Sequence, residues 1–163
     1  MHTTLVPVDG STHSLKALHI ACDLTAKYGG RIMLLHVLRE NMGADELLAL
    51  WIANAFGPKL TAALQEAANK ASGPAPKSLL VAVGKKILDQ AAGKVRRLDL
   101  EFKILEMVVG DPAENILIAQ KQTGASTIVM GCRGVSDRTD ASSFGSVSNT
   151  VFEKAVCTCL SVK

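Results

Sequence analysis

Residues 101–134, EFKILEMVVGDPAENILIAQKQTGASTIVMGCRG, hold a complete strand–helix–strand unit in one run of sequence. Glu101 to Val109 (EFKILEMVV) reads as a strand. Asp111 then stands at a helix N-cap, with Pro112 at the first helical position and Glu114 three residues beyond the cap. The helix is expected to stop near Gly124, and Ser126 to Met130 (STIVM) forms the next strand, running directly into Gly131-Cys132-Arg133-Gly134. A strand, a crossover helix and a second strand in that order imply a right-handed parallel unit.

The same alternation continues outward in both directions. Thr3 to Val8 reads as a first strand ending at Asp9-Gly10-Ser11, and Arg31 to Leu38 (RIMLLHVL) as a second. The second run is almost continuously apolar, which suits a strand covered on both faces. Between them Ser11 caps a helix carrying Ala17, Leu18, Ala21, Cys22, Leu24 and Tyr28 on its apolar side, with Gly29-Gly30 as the stop. From Asn41 to about Pro76 the chain makes an Ala-, Leu- and Lys-rich helical excursion, interrupted at Gly57-Pro58 and at Gly73-Pro74-Ala75-Pro76. Lys77 to Arg97 places Leu80, Val83, Ile87, Ala91 and Val95 on one helical stripe; Leu79 to Val83 alone would also suit a strand, and helix is the reading adopted. Beyond Gly134 a glycine-bearing loop reaches Gly145-Ser146. A last helix with Val147, Val151 and Ala155 follows, and then a fifth, edge strand from Cys157 to Val162. The expected fold is a doubly wound, mostly parallel α/β sheet with helices on both faces, in one domain spanning 1–163.

Composition excludes several function classes. The chain is 48% hydrophobic and only 4% aromatic, and its net charge is +3 with the basic residues dispersed. Neither a basic face nor a platform of stacked rings for nucleic acid is evident. The longest apolar stretch, Leu47 to Gly57, is far short of the roughly 20 residues a membrane span needs. The N-terminus reaches Asp9 almost at once, unlike a secretory signal, so the cytoplasm is the expected compartment. Cys22, Cys132, Cys157 and Cys159 form neither a CxxC pair nor a zinc-finger spacing, and reduced thiols are expected.

In doubly wound sheets ligands bind beyond the carboxyl ends of the strands, where strand order reverses. Two loops carry suitable chemistry there: Asp9-Gly10-Ser11 after the first strand, and 131–146 after the fourth. Glycines in the second loop let backbone N–H groups approach an anion, and the helix starting near Ser146 adds its positive end. Asp9 accepts hydrogen bonds only, which suits sugar hydroxyls; capping of the following helix is its other reading. Neither GxGxxG nor a Walker loop is present.

The stretches LVPVDGS, VVGDPAENILIAQKQTGASTIVMGCRG and GSVSNTVFEKAVCTCLSV resemble the universal stress protein family. The resemblance covers strands one and two and everything from about Val108 onward, leaving the excursion at 41–76 as this chain's own variation. It implies a five-stranded sheet of order 3-2-1-4-5, dimerisation through the last strand, and a site for ATP or another adenine nucleotide, with Mg²⁺ held only through a triphosphate. By the same resemblance Pro7, Val8 and Asp9 contact base and ribose, and the backbone of Val37 meets the adenine. Met130 and Gly131 flank the ribose and first phosphate, while Gly134, Gly145, Ser146, Val147 and Ser148 cradle the remaining phosphates. Arg133 is added from its charge and position. The family's pattern G-x2-G-x9-G-(S/T) is met at Gly131, Gly134 and Gly145-Ser146, with ten residues in the last gap instead of nine and Asp137 and Asp140 among them.

The leading reading is therefore a nucleotide-dependent sensor in a stress response, acting on a protein partner and bearing no catalytic residues. The alternatives are a nucleotide-free interaction module and a slow ATP hydrolase. Other features have plainer readings. Cys157 and Cys159 point to one side of a strand and supply too few ligands for a metal; Cys132 has a redox reading beside a structural one. His13 and His19, six residues apart, point in different directions, and His36 reads as a satisfied core histidine. Leu47, Leu48, Leu50, Trp51, Ile52 and Phe56 either pack on the sheet or form a partner surface.

Overall fold

The computed structural model describes residues 2–70, 73–134 and 144–163, with the backbone alone at 51 and 52. Five parallel strands form the main sheet: β1 (Thr3–Pro7), β2 (Arg31–Leu35), β4 (Phe102–Ile104), β6 (Thr127–Gly131) and β7 (Thr158–Val162). Their order is β4-β2-β1-β6-β7, which is 3-2-1-4-5 when these five are counted alone. Leu5 pairs with Met33 on one side and Ile128 on the other.

Along the strands alternate side chains enter two separate cores. Val6, Ile32, Leu34 and Val129 pack with α1 (Thr12–Tyr28) and α4 (Lys77–Arg97), whereas Leu5, Met33, Leu35, Ile128 and Met130 pack with α5 (Pro112–Thr123) and α6 (Ser146–Lys154). Because both faces are covered, no polar residue is needed at every second position, which explains the apolar runs.

Capping follows the sequence closely. Ser11 accepts the Ser14 N–H at 3.1 Å, Asp111 accepts the Glu114 N–H at 2.8 Å, and Gly124 ends α5 in the left-handed conformation. The buried stripe of α1 is Ala17, Leu18, Ala21, Cys22 and Thr25. Tyr28 is instead 70% exposed and Leu24 also lies outside, because the stripe continues through Thr25.

Two expected strands are each broken in two. β2 stops at Leu35, and the chain resumes as β3 (Val37–Leu38) after His36; the 101–109 run divides into β4 and β5 (Val108–Val109). β3 and β5 pair in parallel as a small second sheet. His36 turns its imidazole to the Val8 carbonyl, and the main ladder ends there.

The excursion comprises α2 (Ala44–Leu48), a 3-10 turn (Trp51–Ala55) and α3 (Gly57–Lys70). Leu47, Leu50, Phe56 and Leu64 are buried in the α1–α4 core, so for these residues packing is the correct account. The side chains of Trp51 and Ile52 lie outside the described residues. Lys77–Arg97 is helical throughout, with all five predicted stripe residues buried.

Candidate functional site

A cleft of about 450 Å³ opens at the carboxyl ends of β1, β2 and β6, where the sheet order reverses. All twelve residues singled out from sequence line it: Pro7, Val8, Asp9, Val37, Met130, Gly131, Arg133, Gly134, Gly145, Ser146, Val147 and Ser148. They come from chain segments more than a hundred residues apart, brought together because parallel strands end on one side of the sheet.

The first-strand end is held by its neighbours. The Val8 N–H donates to the Leu35 carbonyl at 2.8 Å, and His36 Nδ1 bonds the Val8 carbonyl at 2.7 Å. Asp9 Oδ1 accepts the Ser11 N–H at 2.9 Å, so Asp9 shapes the turn while Ser11 caps the helix. Across the cleft stands Gly134, where an added Cβ would lie 3.0 Å from Asp9 Oδ2. Gly131 passes closer still to α1: a Cβ there would lie 2.8 Å from the His13 carbonyl carbon and 2.9 Å from the Ser14 nitrogen.

The far side of the cleft is built on one carbonyl. Cys132 O accepts from the Gly145 N–H at 2.7 Å and from the Ser148 hydroxyl at 2.8 Å, drawing the start of α6 against the end of β6. Gly145 occupies the N-cap without a side chain, and the helix supplies no acceptor for the first-turn N–H groups of Ser146, Val147 and Ser148. Such a terminus favours an anion. Asp137 and Asp140, noted in the sequence, lie outside the described residues.

Sequence reasoning missed two walls of the cleft. One is the turn Arg39–Met42, closed by the Met42 N–H on the Arg39 carbonyl at 3.2 Å; the other is the α5 start, Gly110 to Pro112. The second was accessible, because a helix that follows a parallel strand starts at the ligand end of the sheet. His36, expected in the core, is indeed buried at 8% exposure, but it also lines the cleft.

Burial pushes the His36 imidazole below the ordinary histidine value of 6.5, while the Val8 carbonyl and the Asp9 carboxylate pull the other way. The unfolded chain therefore takes up this proton at a higher pH than the folded one. Stability contributed here is present above about pH 6.5 and is lost as pH falls through and below that value. Thermal melts in buffers of falling pH are expected to show a decline in Tm below that point, smaller in His36→Asn.

The remaining candidates are structural. Cys132 is 3% exposed, which removes the solvent access a redox sensor needs. Cys157 and Cys159 pack beside the α5–α6 core, and burial pushes the Cys159 thiol up to about 11. Against an ordinary 9.0, its thiolate fraction near pH 8 falls on the order of a hundredfold. Iodoacetamide labelling of the folded protein, read by peptide mass, is expected to leave Cys159 unmodified while free cysteine reacts. Among the described residues no group of three or more His, Cys, Asp or Glu side chains could hold a metal, and no helix is long and apolar enough to cross a membrane.

A five-stranded doubly wound sheet with helices on both faces and a cleft where the strand order reverses defines a class of α/β fold. Within that class, the universal stress protein family's sequence profile matches residues 1–163, and the chain belongs to this family. It is 30% identical to universal stress protein YxiE of Bacillus subtilis over 161 residues, covering 98% of this chain and 97% of YxiE. Among solved structures, universal stress protein UspA from Lactobacillus plantarum superposes with a TM-score of 0.70 at 21% identity, over 99% of this chain and 97% of that one. The universal stress protein of Archaeoglobus fulgidus in complex with dAMP gives 0.64 at 19% identity, over 100% and 98%.

Proposed function

We propose that this chain binds an adenine nucleotide in the cleft and works as a nucleotide-dependent regulatory protein. The observation that carries the reading is the pairing, across one cleft, of the Asp9 carboxylate with the uncapped N-terminus of α6. A ribose hydroxyl suits the first and a phosphate suits the second. Pro7, Val8 and Val37 then face the base, Met130 and Gly131 flank the ribose and first phosphate, and Gly134 with Gly145 to Ser148 takes up the rest, with Arg133 as an added cation. Neighbours of the same fold support this class of ligand: besides the dAMP complex, an Arabidopsis thaliana family protein has AMP bound and a further universal stress protein is in complex with cAMP.

ATP with Mg²⁺ is the form proposed for signalling, in the cytoplasm, with any hydrolysis slow, because among the described residues no base or nucleophile is assembled for it. Among the described residues β7 ends the sheet with one edge unpaired, and its Leu160 is 38% exposed. We assign this edge to a homodimer, since an open strand edge invites pairing. Sedimentation of the purified protein is expected to give twice the chain mass; a monomer would refute the dimer.

The binding test begins with the protein as purified. Heat-released small molecules are identified by mass spectrometry, and the emptied protein is titrated calorimetrically with AMP, cAMP and ATP–Mg²⁺. Stoichiometric binding of an adenine nucleotide is expected. No heat and no released nucleotide would overturn the reading in favour of a nucleotide-free interaction module, the alternative suggested by the ten-residue gap between Gly134 and Gly145.

A further inference from the structure

In a regular parallel ladder one residue bonds the neighbouring strand twice, through its N–H to residue j and through its C=O to the N–H of residue j+2. Val8 begins this pattern, with its N–H on the Leu35 carbonyl, so the expected partner of its own carbonyl is the Val37 N–H. His36 has taken that place, with Nδ1 at 2.7 Å from the Val8 oxygen. A carbonyl only accepts, so Nδ1 carries the proton.

The displaced Val37 amide faces the cleft. Polar groups of successive strand residues point to opposite sides, and on β3 the Leu38 carbonyl is the one turned to β5, accepting the Gly110 N–H at 3.1 Å. Val37 accordingly turns its N–H and C=O toward β1 and the cavity that it lines. One donor and one acceptor side by side match the edge of adenine, which offers a ring nitrogen beside an exocyclic amine.

The ring has a place built for it. Gly84 on α4 lacks the Cβ that would lie 2.8 Å from His36 Cδ2, 2.8 Å from Met107 Sδ and 3.1 Å from Leu38 Cδ2. Any larger residue at 84 would push the imidazole off the Val8 carbonyl.

We propose that His36 is a positioning residue of the cleft, whose imidazole occupies the Val8 carbonyl in place of the Val37 amide and so keeps the Val37 N–H and C=O open for the edge of a purine base. This rests on the reading of the cleft as an adenine-nucleotide site. His36 touches no ligand in this account. It acts through Val8 and Val37, and the quantity it governs is the choice of base.

The test compares AMP with GMP, whose base presents the opposite donor and acceptor order at the same edge. Asparagine places its amide nitrogen near the position of Nδ1, glutamine places it near Nε2, and leucine has no donor. The affinity ratio of AMP to GMP is measured for the unaltered chain, His36→Asn, His36→Gln, His36→Leu and Gly84→Ala, with a melt for each. The unaltered chain and His36→Asn are expected to prefer AMP, and in the other folded variants the ratio is expected to fall tenfold or more through loss of AMP affinity. An equal loss for both nucleotides, or a fall in His36→Asn as large as in His36→Gln, would overturn the proposal. Failure of the unaltered chain to bind AMP would instead remove the cleft reading on which it rests. If His36→Leu does not fold, the contrast of the two amide variants decides alone.

Discussion

Gly131→Val is expected to destabilise the protein by about 1–3 kcal/mol and to eliminate nucleotide binding altogether. The added Cβ would lie 2.8 Å from both the carbonyl carbon and the Cβ of His13 and 2.9 Å from the Ser14 nitrogen. These are mainly backbone atoms in the first turn of α1, which is fixed by the Ser11 cap and by the burial of Ser14, Ala17 and Leu18, so there is no flexible tip to swing aside. Either α1 shifts or the end of β6 does, and both carry cleft residues. Denaturant unfolding measures the first effect and AMP titration the second; unchanged values in both would contradict the close approach.

Gly134→Val should separate binding from stability. Among the described residues the only atom within 4 Å of its new Cβ is Asp9 Oδ2, at 3.0 Å. The other carboxylate oxygen is tied to the Ser11 N–H, so Asp9 can turn away only by breaking that bond. Hydrogen bonds to a charged group contribute about 1.5–3 kcal/mol, and AMP affinity should therefore fall about tenfold to a hundredfold in Gly134→Val and in Asp9→Ala alike. Because both changes remove one contact, the double variant should lose little more than either single one. Full multiplication of the two losses would mean that Gly134 acts independently of Asp9. The melting temperature of Gly134→Val should stay close to that of the unaltered chain, since among the described residues the new Cβ crowds a side-chain oxygen and not backbone.

The alternation of elements was legible because β1, β2 and β6 are buried along nearly their whole length and the helices α1 and α5 each carry a buried stripe and a side-chain cap. Asp111, Pro112, Glu114 and Gly124 marked α5 at both ends by local chemistry alone. The break at His36 was not legible: RIMLLHVL is almost continuously apolar, and the bond that interrupts it reaches a carbonyl 28 residues away. Tyr28 and Leu24 were placed on the buried side of α1 by their apolar three- and four-residue spacing, yet the buried stripe runs through Thr25 instead. The glycine positions of the cleft came from the family resemblance, since a GxxG pair by itself marks only a turn. Arg39 to Met42 carried no signal, being turn residues without periodicity.

The double acceptance at the Cys132 carbonyl bears on the one-residue departure from the family's spacing. The Gly145 amide and the Ser148 hydroxyl both close on this oxygen, so the two ends of the glycine segment are fastened to each other and not measured off by the chain between them. Lengthening a closed loop from nine to ten residues raises its closure entropy by only about 0.1 kcal/mol. A clasp of this kind decouples the placement of the α6 start from the count of residues it encloses. Insertions in such a segment then carry almost no closure penalty, and a pattern that fixes the gap at a single length will pass over chains whose clasp is intact.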